Sequence, residues 1–135
     1  MTTAAANASQ ALAPINAASP GDVVVVANGT YHERIDFLGK DITVRSATPA
    51  DPSLTVIDAD LLGTAVTMNG VGASAKLSGF TILEGSATTG GGLDVSGDPT
   101  SKNCRFEQCD ATSGGGAFVN GAATFLDCEF LLNDA

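Results

Sequence analysis

A chain of 135 residues with six Lys and Arg against fifteen Asp and Glu has a formal charge of −9, which sets it against nucleic acid and anionic membrane surfaces, both of which need clustered cations. No uninterrupted apolar run is long enough to span a bilayer, so membrane insertion is not expected. Sixteen glycines and no tryptophan, in a chain that is 44% hydrophobic, suit one domain of short strands and tight corners.

Residues 4–18 carry a helical stripe of Ala8, Leu12 and Ile15. Pro14 lacks a backbone donor, so this helix is expected to kink or begin near it. Ser19-Pro20-Gly21-Asp22 stops the helix, a valine strand covers 23–26, and Asn28-Gly29 turns the chain. Strands are then predicted over 33–37, 42–46, 55–58, 65–68, 76–83, 93–96, 103–107, 117–120 and 124–131. The longest connection, 47–54 with Pro49 and Pro52, is expected to bulge from the stack.

The second half repeats. Gly90-Gly91-Gly92 returns as Gly114-Gly115-Gly116, at a spacing of 24. Phe80, Cys104 and Cys128 share a column at the same spacing, as do Ile82, Phe106 and Phe130, and Gly85, Cys109 and Asn133. A period in the low twenties marks a solenoid whose repeats bury their apolar sides only by stacking. It is too short for a strand and a full crossover helix in every turn, but fits several short strands per coil, each paired with its counterpart one coil away. The columns beginning at Phe80, Ile82 and Val95 are expected to point inward. Thr81, Arg105 and Glu129 are expected to face solvent, with Arg105 and Glu129 close enough to pair.

The segment SQALAPINAASPGDVVVVANGTYHERI resembles the capping helix and first coil of right-handed parallel β-helix proteins of the pectate-lyase-like superfamily. Gly115-Gly116-Ala117 and Phe130-Leu131-Leu132-Asn133 resemble polymorphic outer-membrane-protein repeats, with Cys109 standing where the other repeat would carry asparagine. The resemblance implies an all-β, right-handed parallel β-helix with an N-terminal capping α-helix over residues 1–22. Coils follow over 23–135, their period clear from about 75, and the C-terminal coil is open. It also implies an extracellular or cell-surface setting, although MTTAAANASQALA lacks the basic start and apolar segment of a secretory signal. Fold alone does not assign an activity.

Catalytic, metal and cofactor sites are all expected to be absent. Asp58 with Asp60, and Asp94 with Asp98, are the nearest carboxylate pairs for glycoside or calcium chemistry. The first sits at a strand end, where aspartates bond their own turns, and the second gives way to Phe118 and Ala122 one coil on. His32 reads as a solvated turn residue. Arg45 or Lys76 would serve as a lyase base only beside a substrate carboxylate and a cation, which nothing in the sequence places there. Cys104, Cys109 and Cys128 read as reduced, space-filling thiols, since parallel neighbours in one column aim their Cβ atoms poorly for a bridge.

One coil changes character. Ser101, Lys102, Glu107 and Gln108 become Phe125, Leu126, Leu131 and Leu132, so this coil is expected to be covered, either by further coils or by a second copy in a two-fold dimer. The expected function is a non-catalytic scaffold or surface-binding module, adhesin-like or carbohydrate-contacting, that self-associates through those four residues. The alternative is a fragment of a polysaccharide lyase or glycoside hydrolase.

Overall fold

The computed structural model describes residues 3–6 and 12–134. β1 (Thr3–Ala6) and α1 (Leu12–Ala17) lead into β2 (Val23–Val26), β3 (Gly29–Tyr31) and β4 (Ile35–Asp36). β5 (Thr43–Ser46), a 3₁₀ turn at Pro52–Leu54, β6 (Thr55–Asp58) and β7 (Val66–Val71) form the next coil. β8 (Lys76–Ser78), β9 (Thr81–Leu83), β10 (Ser86–Thr89) and β11 (Leu93–Gly97) follow. They are matched by β12 (Thr100–Lys102), β13 (Arg105–Glu107), β14 (Asp110–Ser113) and β15 (Ala117–Gly121), before β16 (Thr124–Leu126) and β17 (Glu129–Leu131).

Every pairing is parallel, and the coils stack into three long ladders and a short one: β1-β2-β5-β8-β12-β16, β3-β6-β9-β13-β17, β4-β7-β11-β15 and β10-β14. The chain is thus an all-β parallel β-solenoid of about five turns. The inward columns meet as the repeat requires: Ile82, Phe106 and Phe130 are direct ladder partners, and Val95 faces Val119. Phe80, Ile82, Val95, Cys104 and Phe106 are buried in one continuous core.

The spacing of 24 holds from β8 onward, where Lys76 pairs with Thr100 and Thr100 with Thr124. Earlier coils vary. Tyr31 pairs with Ile57, a step only slightly longer than the repeat, whereas Thr43 pairs with Lys76 across a much longer one. Both steps contain the 47–54 loop. That loop folds back on the coil above it, and Thr81 Oγ1 donates to Pro52 O at 2.9 Å. Thr81 is therefore buried, not solvent-facing as its column suggested, while Arg105 Nη2 meets Glu129 Oε1 at 3.3 Å as expected.

Three other expectations need correction. Residues 3–6 are not helical. They extend as β1 along Val23–Val26, because pairing with a β-branched strand outweighs the helix preference of three alanines. Residues 7–11, including Ala8 of the expected stripe, lie outside the described residues. The helix is Leu12–Ala17, with Pro14 in its first turn, where the missing donor costs nothing. Its C-terminal carbonyls are closed by Lys40, whose Nζ donates to Ile15 O, Asn16 O and Ala18 O at 2.8–3.0 Å.

The expected strands 76–83 and 124–131 each break in two, because left-handed residues turn a corner within them. Gly79, Asn103 and Asp127 form one such column, with φ of 82°, 52° and 53°. Glu84, Gln108 and Leu132 form the next, at 54°, 53° and 55°. Strands β10, β12 and β14, rich in Ser and Thr, escaped the sequence reading altogether. The glycine triplets mark a third corner. Gly90 and Gly114 take φ of 64° and 68°, and a Cβ on Gly91 would lie 2.5 Å from Asp110 O and 2.7 Å from Gly115 O.

Candidate functional site

The last turn of the stack, β15-β16-β17, has nothing stacked on it among the described residues. Its inward side chains are consequently half open. Phe130 is 47% exposed where its ladder partner Phe106 is fully buried, and Val119 is 38% exposed where Val95 is buried. Phe130 stacks on Phe106 at 4.8 Å between ring centroids and meets Phe125 edge-on at 5.5 Å.

The four residues singled out by composition divide into two kinds. Phe125, opposite Ser101, points inward and packs on the core. Leu126 and Leu131, opposite Lys102 and Glu107, point sideways on the rim, and Leu132 is 78% exposed at the corner beyond. The sequence reading missed Phe130 and Val119. Both keep the apolar character of their columns, so no polar-to-apolar change drew attention to them.

Backbone polarity adds a second feature. Gly90, Gly91 and Gly92 donate to Ser113, Gly114 and Gly115 carbonyls at 2.9–3.2 Å, three successive N–H groups all aimed at the next coil. Asn103 and Gln108 likewise donate to Leu126 and Leu131. The counterparts one coil on, Gly114, Gly115, Gly116, Asp127 and Leu132, have no such acceptor among the described residues. The last turn thus presents an apolar slab edged by unused backbone donors, the arrangement that invites strand addition.

The corner around His32 holds a different cluster. His32 Nδ1 lies 3.0 Å from Asp60 Oδ1 and 3.8 Å from Asp58 Oδ2, so this histidine is not the lone turn residue its sequence neighbours suggested. Asp58 Oδ1 also accepts from Asp60 N at 2.9 Å, the local turn bond expected of it. The Asp60 hydrogen bond and charge raise the His32 pKa above its ordinary 6.5. Glu84, from the third coil, is also shifted upward, first by the Asp58 charge and further by a hydrogen bond to it.

One ligand atom from each of His32, Asp58 and Asp60 falls within 4.8 Å of the others, a spacing that could hold a cation, yet His32 and Asp60 are exposed and already bonded to each other. Both aspartates stand a whole coil away from His32 in the sequence. Only the register of Tyr31 on Ile57 could have disclosed them. Beside the cluster lies an open concavity of about 570 Å³, lined by His32, Arg34, Asp36, Leu62 and Thr64 among others.

The second carboxylate pair stays in local use. Asp94 Oδ2 accepts from Thr89 Oγ1 at 3.2 Å, and Asp98 Oδ1 from Ala122 N at 3.3 Å. The three cysteines are free. A hydrogen bond from Cys104 lowers the Cys128 pKa to about 7, and the same contact together with burial pushes Cys104 well up. No helix among the described residues is long and apolar enough to cross a membrane. No protein-family model matches the chain, and no curated protein or solved structure does.

Proposed function

We propose that this chain is a non-catalytic β-solenoid module that pairs with a second copy through its last turn and offers its lateral faces for surface or carbohydrate contact. The observation that carries the reading is the coincidence of Val119, Phe130 and the rim leucines with unused backbone donors on one end of the stack. A further coil of the same width would cover Phe130 and Val119 but leave Leu126, Leu131 and Leu132 as exposed as their polar counterparts. Covering the rim as well takes a broader body, and a second copy supplies one. Because the same surface meets itself, the contact closes as a dimer.

Against catalysis stands the engagement of the candidate carboxylates: Asp58 accepts from Asp60 N, Asp94 from Thr89 Oγ1 and Asp98 from Ala122 N. The resemblance to the pectate-lyase-like superfamily and its outer-membrane-protein-like repeats supports an extracellular surface role for such a module.

Light scattering on Leu131→Glu/Leu132→Glu tests the pairing. The unaltered chain is expected at twice 13.4 kDa and the variant, with unchanged circular dichroism, at 13.4 kDa. A monomeric unaltered chain at about 100 µM, or a variant that keeps the dimer mass, overturns the reading.

A further inference from the structure

The chain has only six cationic side chains, and three of them share one face. On the outward side of the β5-β8-β12-β16 ladder, one row reads Thr43, Lys76, Thr100, Thr124 and the next reads Arg45, Ser78, Lys102, Leu126. Arg45, Lys76 and Lys102 line a single concavity of about 450 Å³ with the hydroxyls of Thr43, Ser78 and Thr100.

The other three cations are differently placed. Lys40 closes the helix, Arg105 meets Glu129, and Arg34 lines the concavity beside His32. By contrast, no carboxylate lies within 4 Å of Arg45, Lys76 or Lys102 among the described residues; the one bond there is Arg45 Nη1 to Ser46 O at 3.1 Å. Three unpaired positive charges are therefore gathered in a chain whose sum is −9.

From this we infer that the face is a binding site for a compact polyanion carrying sulfate or phosphate ester groups. Rows two residues apart are separated by about 7 Å and coils by about 4.8 Å, which puts Arg45, Lys76 and Lys102 at the corners of a triangle roughly 8–10 Å on a side. Flexible lysine and arginine stems let all three heads converge on a ligand spanning the middle. Each cation has at least one hydroxyl residue as a ladder neighbour, Ser78 for Arg45 and Lys102 and both Thr43 and Thr100 for Lys76, and never another cation. This spares the empty site direct repulsion and supplies neutral donors around a many-oxygened group. A single carboxylate would engage one corner, whereas two or more ester oxyanions engage all three.

The long-range field of the chain is repulsive to anions, but it is screened beyond about 8 Å at physiological salt, so a short ligand seated in the groove feels chiefly the local cations. A long nucleic-acid backbone would run out over the acidic remainder. The groove lies on the side of the stack and shares one lining residue, Leu126, with the rim of the last turn.

Calorimetric titration of the full chain with tripolyphosphate, with a disulfated monosaccharide and with citrate tests the site. At least one of the first two is expected to bind saturably at one per chain, and which one identifies the ester. Lys76→Gln/Lys102→Gln is expected to weaken it by about tenfold or more for each lost charge-assisted bond, with an unchanged urea midpoint. Arg105→Gln, at a cation that pairs with Glu129 and does not line the groove, is expected to leave it unchanged. The inference is overturned by an absence of saturable binding up to about 5 mM, by citrate binding as tightly, or by equal weakening in Arg105→Gln. Tripolyphosphate halving the mass in light scattering also overturns it, since the face would then hold the carboxylates of a second copy.

Discussion

Phe106 and Phe130 are ladder partners in one aromatic column, yet they contribute different kinds of stability. Phe106 is fully buried between Ile82 and Phe130, so Phe106→Ala removes a whole core ring at a cost of about 3–5 kcal/mol. Phe130 is 47% exposed in the single chain, leaving about half of the roughly 1.5–3 kcal/mol for full burial, or about 0.8–1.6 kcal/mol. Under the proposed pairing the other half is gained when a second copy covers the ring, once for each chain. Urea unfolding at about 1 µM and 100 µM separates the two contributions, because association stabilises by mass action. The loss in Phe106→Ala should be alike at both concentrations. That in Phe130→Ala should be small when dilute and should grow by about 0.7–1.4 kcal/mol per chain when concentrated. A Phe130→Ala loss that ignores concentration would refute the reasoning.

Two other predictions concern protonation. Because the Asp60 hydrogen bond raises the folded-state pKa of His32, this group stabilises the fold below its ordinary 6.5, and the gain fades as pH rises through the raised value. The urea midpoint of the unaltered chain should therefore exceed that of His32→Gln at pH 5.5 by more than at pH 8.5, and a pH-independent difference contradicts the geometry. Among the thiols, Cys128, half-buried with a pKa of about 7, should react with iodoacetamide before the buried Cys104 and Cys109, its rate rising through neutrality. Mass spectrometry of partly alkylated protein checks the order; first labelling at Cys109 would be the contrary result.

What could be read in advance follows from where the period is exact. From Lys76 onward every coil has the same length, so columns in the sequence are ladders in space, and Phe80, Ile82, Val95, Cys104 and Phe106 could be placed in the core without coordinates. Before Lys76 the step changes from coil to coil, so neighbours such as His32 and Asp60 cannot be found by counting. Corners were harder still. Glu84, Gln108 and Leu132 turn the chain in the left-handed region without being glycine, asparagine or aspartate, and no composition rule marks them. Thr81 shows a different limit: its column predicts an outward residue, and a loop from the coil below covers it. In the end coil the outward leucines depart from their columns and drew attention, whereas Phe130, 47% exposed, keeps the character of its column and did not.

Pairing of the last turn with a second copy has its most direct consequence at backbone amides. Gly114, Gly115 and Gly116 correspond to glycines that donate to the next coil, so pairing should occupy them or shield them from water. Hydrogen exchange of these three amides, read by NMR across a dilution series through the association range, is the deciding measurement. They are expected to exchange rapidly in the dilute chain and to slow as the dimer forms, while Gly90, Gly91 and Gly92 stay protected throughout. Fast exchange at Gly114, Gly115 and Gly116 in a sample whose mass is that of a dimer would place the contact elsewhere and contradict the proposed pairing.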